Sequence, residues 1–315
     1  MNKPFISICV PAYKRVMYLE RLLESILIQT YKNFEIIISD DSDDDSVEKF
    51  IKWYEGKLPI KYYKNERSLG TPANWNFAIS KAKGEWVKLM HDDDWFSTTE
   101  SLENFVKYTH ADHKFIFSAY TNFYEEENRE LKISLTGTGK RSILNEPDVL
   151  LLKNMVGPPS VTLIHRSITE QYDENLKWRV DTEFYSRVLK LNKNFIYINQ
   201  SLINIGISQS QVTQSCINNP SIELPEAFIL IKKHGIKSLR NIWIYDSWWR
   251  LLRNMKIISE SQLRQYADQK WPSLIVCITK DLSKAPALIF KYRIFSKVYM
   301  TLSYLRNRSK LENRK

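Results

Sequence analysis

Cysteine is scarce in this chain: Cys9, Cys216 and Cys277 are the only three in 315 residues, and no CxxC pair occurs. That spacing excludes a disulfide framework and a zinc ribbon, and it favours a reducing compartment. Glycine (8) and proline (11) are also few, too few for a collagen-like or linker-dominated chain. Neither GxxxxGK[ST] nor GxGxxG is present, which argues against a P-loop NTPase and a dinucleotide-dependent dehydrogenase. No stretch approaches the ~20 apolar residues of a spanning helix. The apolar start at Phe5 is broken at Pro11, too soon for a signal-peptide core. Neither an export signal nor an integral membrane segment is expected.

What the chain does carry is core-forming material and an uneven charge. Hydrophobic residues make up 43% and aromatics 13%, which excludes wholesale disorder. A length of 315 residues suits one large or two ordinary domains. The 46 Lys and Arg against 36 Asp and Glu leave a net charge of +10. Residues 231–315 hold 19 basic and 5 acidic side chains, a surplus of 14, which leaves residues 1–230 at net −4. The positive surplus belongs to the C-terminal segment alone.

Apolar periodicity alternates between strand and helix. Residues 5–10 read as a strand, followed by Leu19, Leu22, Leu23, Ile26 and Leu27 at helical spacing. Residues 34–38 form a second strand ending in Asp40-Asp41, with Val47, Phe50, Ile51 and Tyr54 in the next helix. Residues 60–63 lead into the segment 65–70 and a helix from Pro72, and residues 86–90 run into Asp92-Asp93-Asp94. Further strands are expected at 115–119, 161–164 and 195–198, a loop at 136–139 and a short helix over 181–191. From about 221 onward the pattern is helical, with one stripe of Ile244, Trp248, Leu251, Met255 and Ile258 and another helix over 285–306. Such alternation predicts an α/β fold, a mostly parallel sheet flanked by helices with a helical C-terminal region. Ligands then bind beyond the carboxyl ends of the strands. Pro11-Ala12-Tyr13, Asp40-Asp41, residues 65–67 and Asp92-Asp93-Asp94 all fall on that rim.

Three adjacent carboxylates repel one another unless a cation, donors or water offset the repulsion. A hard divalent ion shared with a substrate diphosphate does this for Asp92-Asp93-Asp94, because Mg2+ and Mn2+ prefer oxygen ligands. A solvated acidic turn opening the next helix does so too. Asp40-Asp41 poses the same alternatives: a turn, or a carboxylate accepting from a nucleotide. On the residues alone both readings stay open, whereas Asp43, Asp44 and Asp45 read as a solvated helix start.

The set Val10-Pro11-Ala12-Tyr13-Lys14-Arg15, Ser25-Ile26-Leu27-Ile28-Gln29-Thr30-Tyr31, Asp40-Asp41-Ser42, residues 65–70 with Asn74 and Asn76, Ala82-Lys83-Gly84-Glu85-Trp86 and Asp92-Asp93-Asp94 resembles the family 2 inverting glycosyltransferases of GT-A fold. The match runs in order over about the first 215 residues. It implies a catalytic domain over 1–215, joined to a helical basic region over 216–315. It also implies a nucleotide-diphosphate sugar donor, a UDP-sugar by default, and a divalent metal, Mn2+ or Mg2+. By the same resemblance Pro11, Ala12, Tyr13, Arg15 and Asp41 contact the nucleotide, and Asn65, Arg67, Gly70 and Asn76 line its pocket. Asp92 and Asp93 reach the ribose side, and Asp94 holds the metal with Asp92 or Asp93 supporting. The register within the run of three stays open.

The stretch Tyr172-Asp173-Glu174-Asn175-Leu176, followed by Asp181-Thr182-Glu183-Phe184 and Arg187, is similar to the family's acidic residue opening a helix below the acceptor. That likeness implies Asp181 as catalytic base and Glu183 as second choice; spacing alone gives only a helix cap. An inverting transfer needs one carboxylate to take the acceptor proton and a metal to stabilise the departing diphosphate. Many family members place a metal-completing histidine in the segment matching 205–213, and this chain has none there. His91 reads as a packing residue, and His110 and His113 as surface residues.

Over 285–306, Leu288, Tyr292, Phe295, Tyr299 and Leu302 form one stripe with Arg293 and Lys297 opposite. Such a helix either lies in an anionic membrane interface or packs on its own protein with a solvated basic face. The lipid-linked or glycan acceptors that the resemblance implies favour the former. The expectation is a cytoplasmic protein, peripheral at the inner face of the cell membrane, in cell-surface polysaccharide synthesis. A nucleic-acid-binding module has only the C-terminal surplus in its support, and the net −4 elsewhere opposes phosphate binding, so no nucleic acid is expected. A sugar-nucleotide pyrophosphorylase needs a Gly-rich loop where Pro11-Ala12-Tyr13 stands, and a degenerate transferase-like binding protein would lack turnover.

Overall fold

The computed structural model describes residues 5–110, 112–208 and 216–312. The chain divides into two compact units, one of residues 1–145 and 155–209 and the other of residues 146–154 and 210–315. The insertion of 146–154 into the helical unit left no sign in the periodicity.

The first unit is built on a nine-stranded sheet. Its strands are β1 (Ile6–Ala12), β2 (Phe34–Asp40), β3 (Ile60–Lys64), β4 (Trp86–Leu89), β5 (Asp94–Phe96), β6 (Phe115–Tyr124), β7 (Arg129–Ile133), β8 (Thr162–His165) and β9 (Ile196–Ile207). They run in the order β3-β2-β1-β4-β8-β6-β9-β5, with β7 on β6. From β3 to β4 every pairing is parallel, and β6 with β9 is parallel too. β8, β5 and β7 are antiparallel insertions. β1 and β2 are buried almost throughout, which is why they read as continuous apolar runs. The buried Glu35 of β2 accepts from Ser7 Oγ at 2.6 Å, Lys61 Nζ at 2.6 Å and the Lys83 N–H at 2.7 Å, so its charge is satisfied.

The helices of this unit are α1 (Val16–Leu27), α2 (Ser46–Ile51), α3 (Ala73–Ser80), α4 (Ser101–Val106), α5 (Gly137–Asn145) and α6 (Val180–Asn192). α1 buries Leu19, Leu22, Leu23 and Ile26, the spacing that predicted it. The expected loop at 136–139 instead opens α5. Thr136 Oγ1 accepts the Gly139 N–H at 3.1 Å, an N-cap bond that lets a Gly/Thr-rich start become helical. β5 and β7 were not expected, because three residues with an acid at the head, or a charged exposed hairpin strand, carry no strand periodicity.

The second unit is helical: α7 (Pro220–His234), α8 (Ile242–Asn254), α9 (Glu260–Tyr266), α10 (Ser273–Lys284), α11 (Leu288–Lys291) and α12 (Arg293–Glu312). Of the stripe expected on α8, Ile244, Trp248 and Leu251 are buried, whereas Met255 and Ile258 lie past the helix end and Ile257 is buried in their stead. The single helix expected over 285–306 is broken at Tyr292, whose backbone is extended between α11 and α12.

Candidate active site

Because β1 to β4 run parallel, their carboxyl ends meet at one rim. Backbone bonds continue the alignment past the strands: Asp41 N–H to Ala12 O at 2.9 Å, Asn65 N–H to Asp40 O at 3.0 Å and Met90 N–H to Cys9 O at 2.9 Å. The rim motifs found in sequence are therefore neighbours in space. Asp41 is buried, and its carboxylate accepts from Asn65 Nδ2 (2.7 Å), Ser68 Oγ (3.2 Å), Leu69 N–H (3.0 Å) and Gly70 N–H (2.7 Å). Gly70 sits at φ +73°, a conformation that glycine takes without strain and that turns two successive amides onto one carboxylate. Asp41, Asn65 and Gly70 thus form one fixed loop, with Arg67 exposed on it. Tyr13 is half exposed above Ala12, and Pro11 lies within β1 opposite Ser39.

The acidic triplet divides its tasks. Arg15 binds Asp92 in a bidentate pair and reaches Asp93 Oδ2 at 3.2 Å. Burial raises the Asp92 carboxyl to about 7 against the pull of Arg15. Asp94 opens β5 and is buried, accepting from Ser160 and from the Gly206 N–H. Burial and the neighbouring Asp93 push its carboxyl well above the usual range. The Asp93 carbonyl is fixed by Arg21 at 2.9 Å. A Cβ at Gly206 would come within 2.5 Å of that same carbonyl, so β9 can pass here only as glycine.

His91, Asp93 and Asp94 offer ligand atoms that all lie within 4.8 Å of one another. The His91 ring tilts against Trp75 at 4.7 Å, and burial pushes its pKa down to about 4, so the imidazole is neutral. Its buried Nε2 has no hydrogen-bond partner among the described residues. A neutral imidazole lone pair beside two carboxylates is a donor set that divalent metals accept, so the residues fit the ion that sequence resemblance implies. The set differs from expectation: His91 joins it from the strand end, while Asp92 is turned to Arg15. Of the segment matched to the family's usual histidine, residues 209–213 lie outside the described residues.

Behind the cluster is a residue that sequence reasoning passed over. Lys88 in β4 is fully buried, donating to Ser160 O and, at 3.1 Å, to Thr162 O; burial holds its amine well below the lysine range. It anchors the segment from which Ser160 Oγ accepts the His91 N–H at 3.0 Å. A lysine in an otherwise apolar strand was the available signal.

Asp181 lies in the first turn of α6, half-buried, accepting the Thr182 N–H at 2.7 Å. The Tyr120 phenol is raised to about 12 by burial and by the negative charges of Asp181, Tyr124 and Asp94, so Tyr120 stands within electrostatic reach of both Asp181 and the acidic cluster. Gly157 makes room for the Tyr120 ring, which a Cβ would meet at 2.6 Å. Glu183 differs from Asp181: it is fully buried and held by Arg187 through bonds of 3.0 and 2.9 Å. Asn76, expected in the nucleotide pocket, spends its amide on Tyr172 N–H (2.9 Å), Tyr172 O (2.9 Å) and Glu174 Oε1 (3.1 Å). It pins the loop before α6 to α3.

The glycosyl transferase family 2 model matches residues 7–173, more than half of the chain and every rim motif. This chain belongs to glycosyl transferase family 2. Its relatives in the family include an uncharacterised glycosyltransferase of Methanocaldococcus jannaschii, 29% identical over 213 residues, 66% of this chain and 72% of that protein. Another is the GalNAc(5)-diNAcBac-PP-undecaprenol beta-1,3-glucosyltransferase of Campylobacter jejuni, 29% identical over 154 residues and 48% of each chain. Among solved structures, S. aureus TarS 1-349 in complex with UDP-GlcNAc aligns over 98% of this chain and 90% of its own, at TM-score 0.58 and 16% identity. The mannosyltransferase PcManGT of Pyrobaculum calidifontis, in complex with GDP-Man and Mn2+, aligns over 98% and 88%, at TM-score 0.59 and 13% identity. These neighbours share the fold, and the GT-A architecture expected from sequence is the one observed.

Proposed function

We propose that this glycosyltransferase is inverting and metal-dependent, moving a sugar from a nucleotide diphosphate to a hydroxyl of a glycan or lipid-linked acceptor in cell-surface polysaccharide synthesis. The observation that carries the reading is the group of partly exposed His91 and Asp93 with buried Asp94 at the strand-end rim, with ligand atoms within 4.8 Å of one another. His91, Asp93 and Asp94 would hold the divalent ion, which when bound supplies positive charge for the diphosphate leaving group. Arg15 keeps Asp92 oriented beside them, and the loop fixed by Asp41 presents the base-side wall together with Ala12 and Tyr13. Asp181 is the base: its carboxylate takes the acceptor hydroxyl proton as the oxygen bonds to the anomeric carbon and the bond to the diphosphate breaks. Glu183, neutralised by Arg187, is a structural carboxylate instead of a second base.

A UDP-sugar is the first donor to test and a GDP-sugar the second, since the neighbours' bound ligands are UDP-GlcNAc and GDP-Man. The Campylobacter relative's name specifies an undecaprenol-linked acceptor, which supports the lipid-linked class here. No disulfide joins Cys9, Cys216 and Cys277, which suits a reducing compartment, and no described helix is long and apolar enough to cross a membrane. The test is a thermal-shift screen of UDP-, GDP- and dTDP-sugars with and without Mn2+. A donor present at 100 times its Kd stabilises the native state by about 2.7 kcal/mol, so one nucleotide should raise the melting temperature by several degrees, and more with Mn2+. No shift with any nucleotide contradicts the reading.

A further inference from the structure

Helix α12 is packed inside out. At 3.6 residues per turn, Ser296, Met300, Ser303 and Asn307 fall within about 60° of one another, and all four are buried. Three of them are polar, and hydrogen bonds hold them. Ser296 Oγ accepts from Trp249 Nε1 at 3.0 Å and Arg253 Nη1 at 2.7 Å, and Ser303 Oγ shares a 2.7 Å bond with Tyr245. Asn307 Nδ2 donates to Tyr245 Oη at 3.1 Å and Asp281 Oδ2 at 3.0 Å. The opposite side of the helix carries Ile294, Val298, Leu302 and Leu305, exposed by 73%, 53%, 50% and 58%. Phe295 beside them and Phe290 and Tyr292 just before the helix are exposed as well. Of the stripe expected from sequence, only Phe295 and Leu302 lie on this exposed side of α12: the break at Tyr292 leaves Leu288 and Tyr292 outside the helix, and Tyr299 is half-buried.

An outward apolar ridge with a satisfied polar inner face calls for an apolar partner. The charges along it say which one. Arg293, Lys297 and Arg308 follow one border of the ridge and Arg306 the other, with Lys291 at its head, all exposed. Trp243, also exposed, lies beneath the Lys297 ammonium at 5.4 Å, an aromatic with a polar edge of the sort enriched at membrane interfaces. Cationic side chains flanking an apolar ridge let the ridge enter the acyl boundary while the charges stay at anionic headgroups. The surplus of 14 positive charges over residues 231–315 adds long-range attraction to the same surface.

We propose that the outer face of α12, with Phe290 and Tyr292, docks on an anionic lipid bilayer surface. The proposal stands on the helical unit alone and is independent of the chemistry assigned to the acidic rim. The test is co-sedimentation of the full chain with phosphatidylcholine vesicles and with vesicles containing anionic phosphatidylglycerol, at low and high salt. The expected result is binding to the anionic vesicles, at least ten-fold weaker to the neutral ones and reduced by salt. Val298→Glu with Leu302→Glu should abolish it, and Arg293→Gln with Lys297→Gln should weaken it several-fold, with unchanged melting temperatures because these side chains are exposed. Absence of binding to anionic vesicles, or binding undiminished by Val298→Glu with Leu302→Glu, overturns the proposal. So does a chain that is dimeric in light scattering, becomes monomeric in the same double variant and binds no vesicles, because the ridge would then belong to a second copy.

Discussion

The two units break the usual partition between water and interior in opposite directions. In the sheet unit, Asp92 and Asp94 are buried, His91 brings Nδ1 to within 4.0 Å of Asp94 Oδ2, and its buried Nε2 has no hydrogen-bond partner among the described residues. In the helical unit, large apolar side chains of α12 face water while serines and an asparagine are buried. Desolvated carboxylates cost free energy unless a cation or donors offset it. Exposed apolar surface forgoes about 25 cal/mol per Å². On the readings proposed above, each departure would be relieved by a partner of complementary character, an ion with a diphosphate in one case and a lipid surface in the other. Places where local rules fail without internal compensation are where a protein expects something else to bind.

The contrast can be broken most severely at Asp94. Asp94→Asn replaces a buried carboxyl that has no positive side chain bonded to it among the described residues, so transfer should fall by about 10³-fold while the melting temperature stays level or rises, as happens when strained sites are relaxed. Paired rate and melting measurements decide this, and a large loss of stability would mean that Asp94 is structural. Glu183→Ala should do the reverse. Stripping the buried partner from Arg187 should cost about 3 kcal/mol, read as a lower denaturation midpoint, with turnover per folded molecule within a few-fold of the parent. The smallest effect belongs to the helical unit: Leu302→Glu should change stability by less than about 0.5 kcal/mol. Ser303→Ala, one residue away on the inner face, should cost about 1 kcal/mol by removing bonds to Tyr245 and Asp281.

Much of this was legible in the residues. The order strand, polar turn, helix over the first 95 residues placed four motifs on one rim, because parallel strands buried on both faces announce themselves as apolar runs. The division of labour among adjacent acids was not legible. Asp92 and Asp94 are two residues apart, yet one turns to Arg15 and the other enters β5, a distinction set by Arg15, 77 residues upstream of Asp92, and Ile205, 111 residues downstream of Asp94. His91 was read as packing, and it does pack against Trp75, but it also offers a ring nitrogen within 4.8 Å of ligand oxygens of Asp93 and Asp94. The separation of Asp181 from Glu183 had a visible signal, since Arg187 stands four residues after Glu183 on the same helical face. On α12 the expected stripe was only partly right, because it ran through the break at Tyr292, and periodicity cannot tell an inward face from an outward one when the other face is held by hydrogen bonds.

The central claim is that the rim of the sheet unit transfers sugar with Asp181 as base. It is tested most directly by nucleoside diphosphate release from the donor identified by thermal shift, measured with Mn2+ and acceptor for the parent chain and for Asp181→Ala. The expected result is turnover in the parent and a loss of about 10²–10⁴-fold in the variant, with donor-induced stabilisation intact in both. Asp181→Ala turning over near the parent rate would contradict the account.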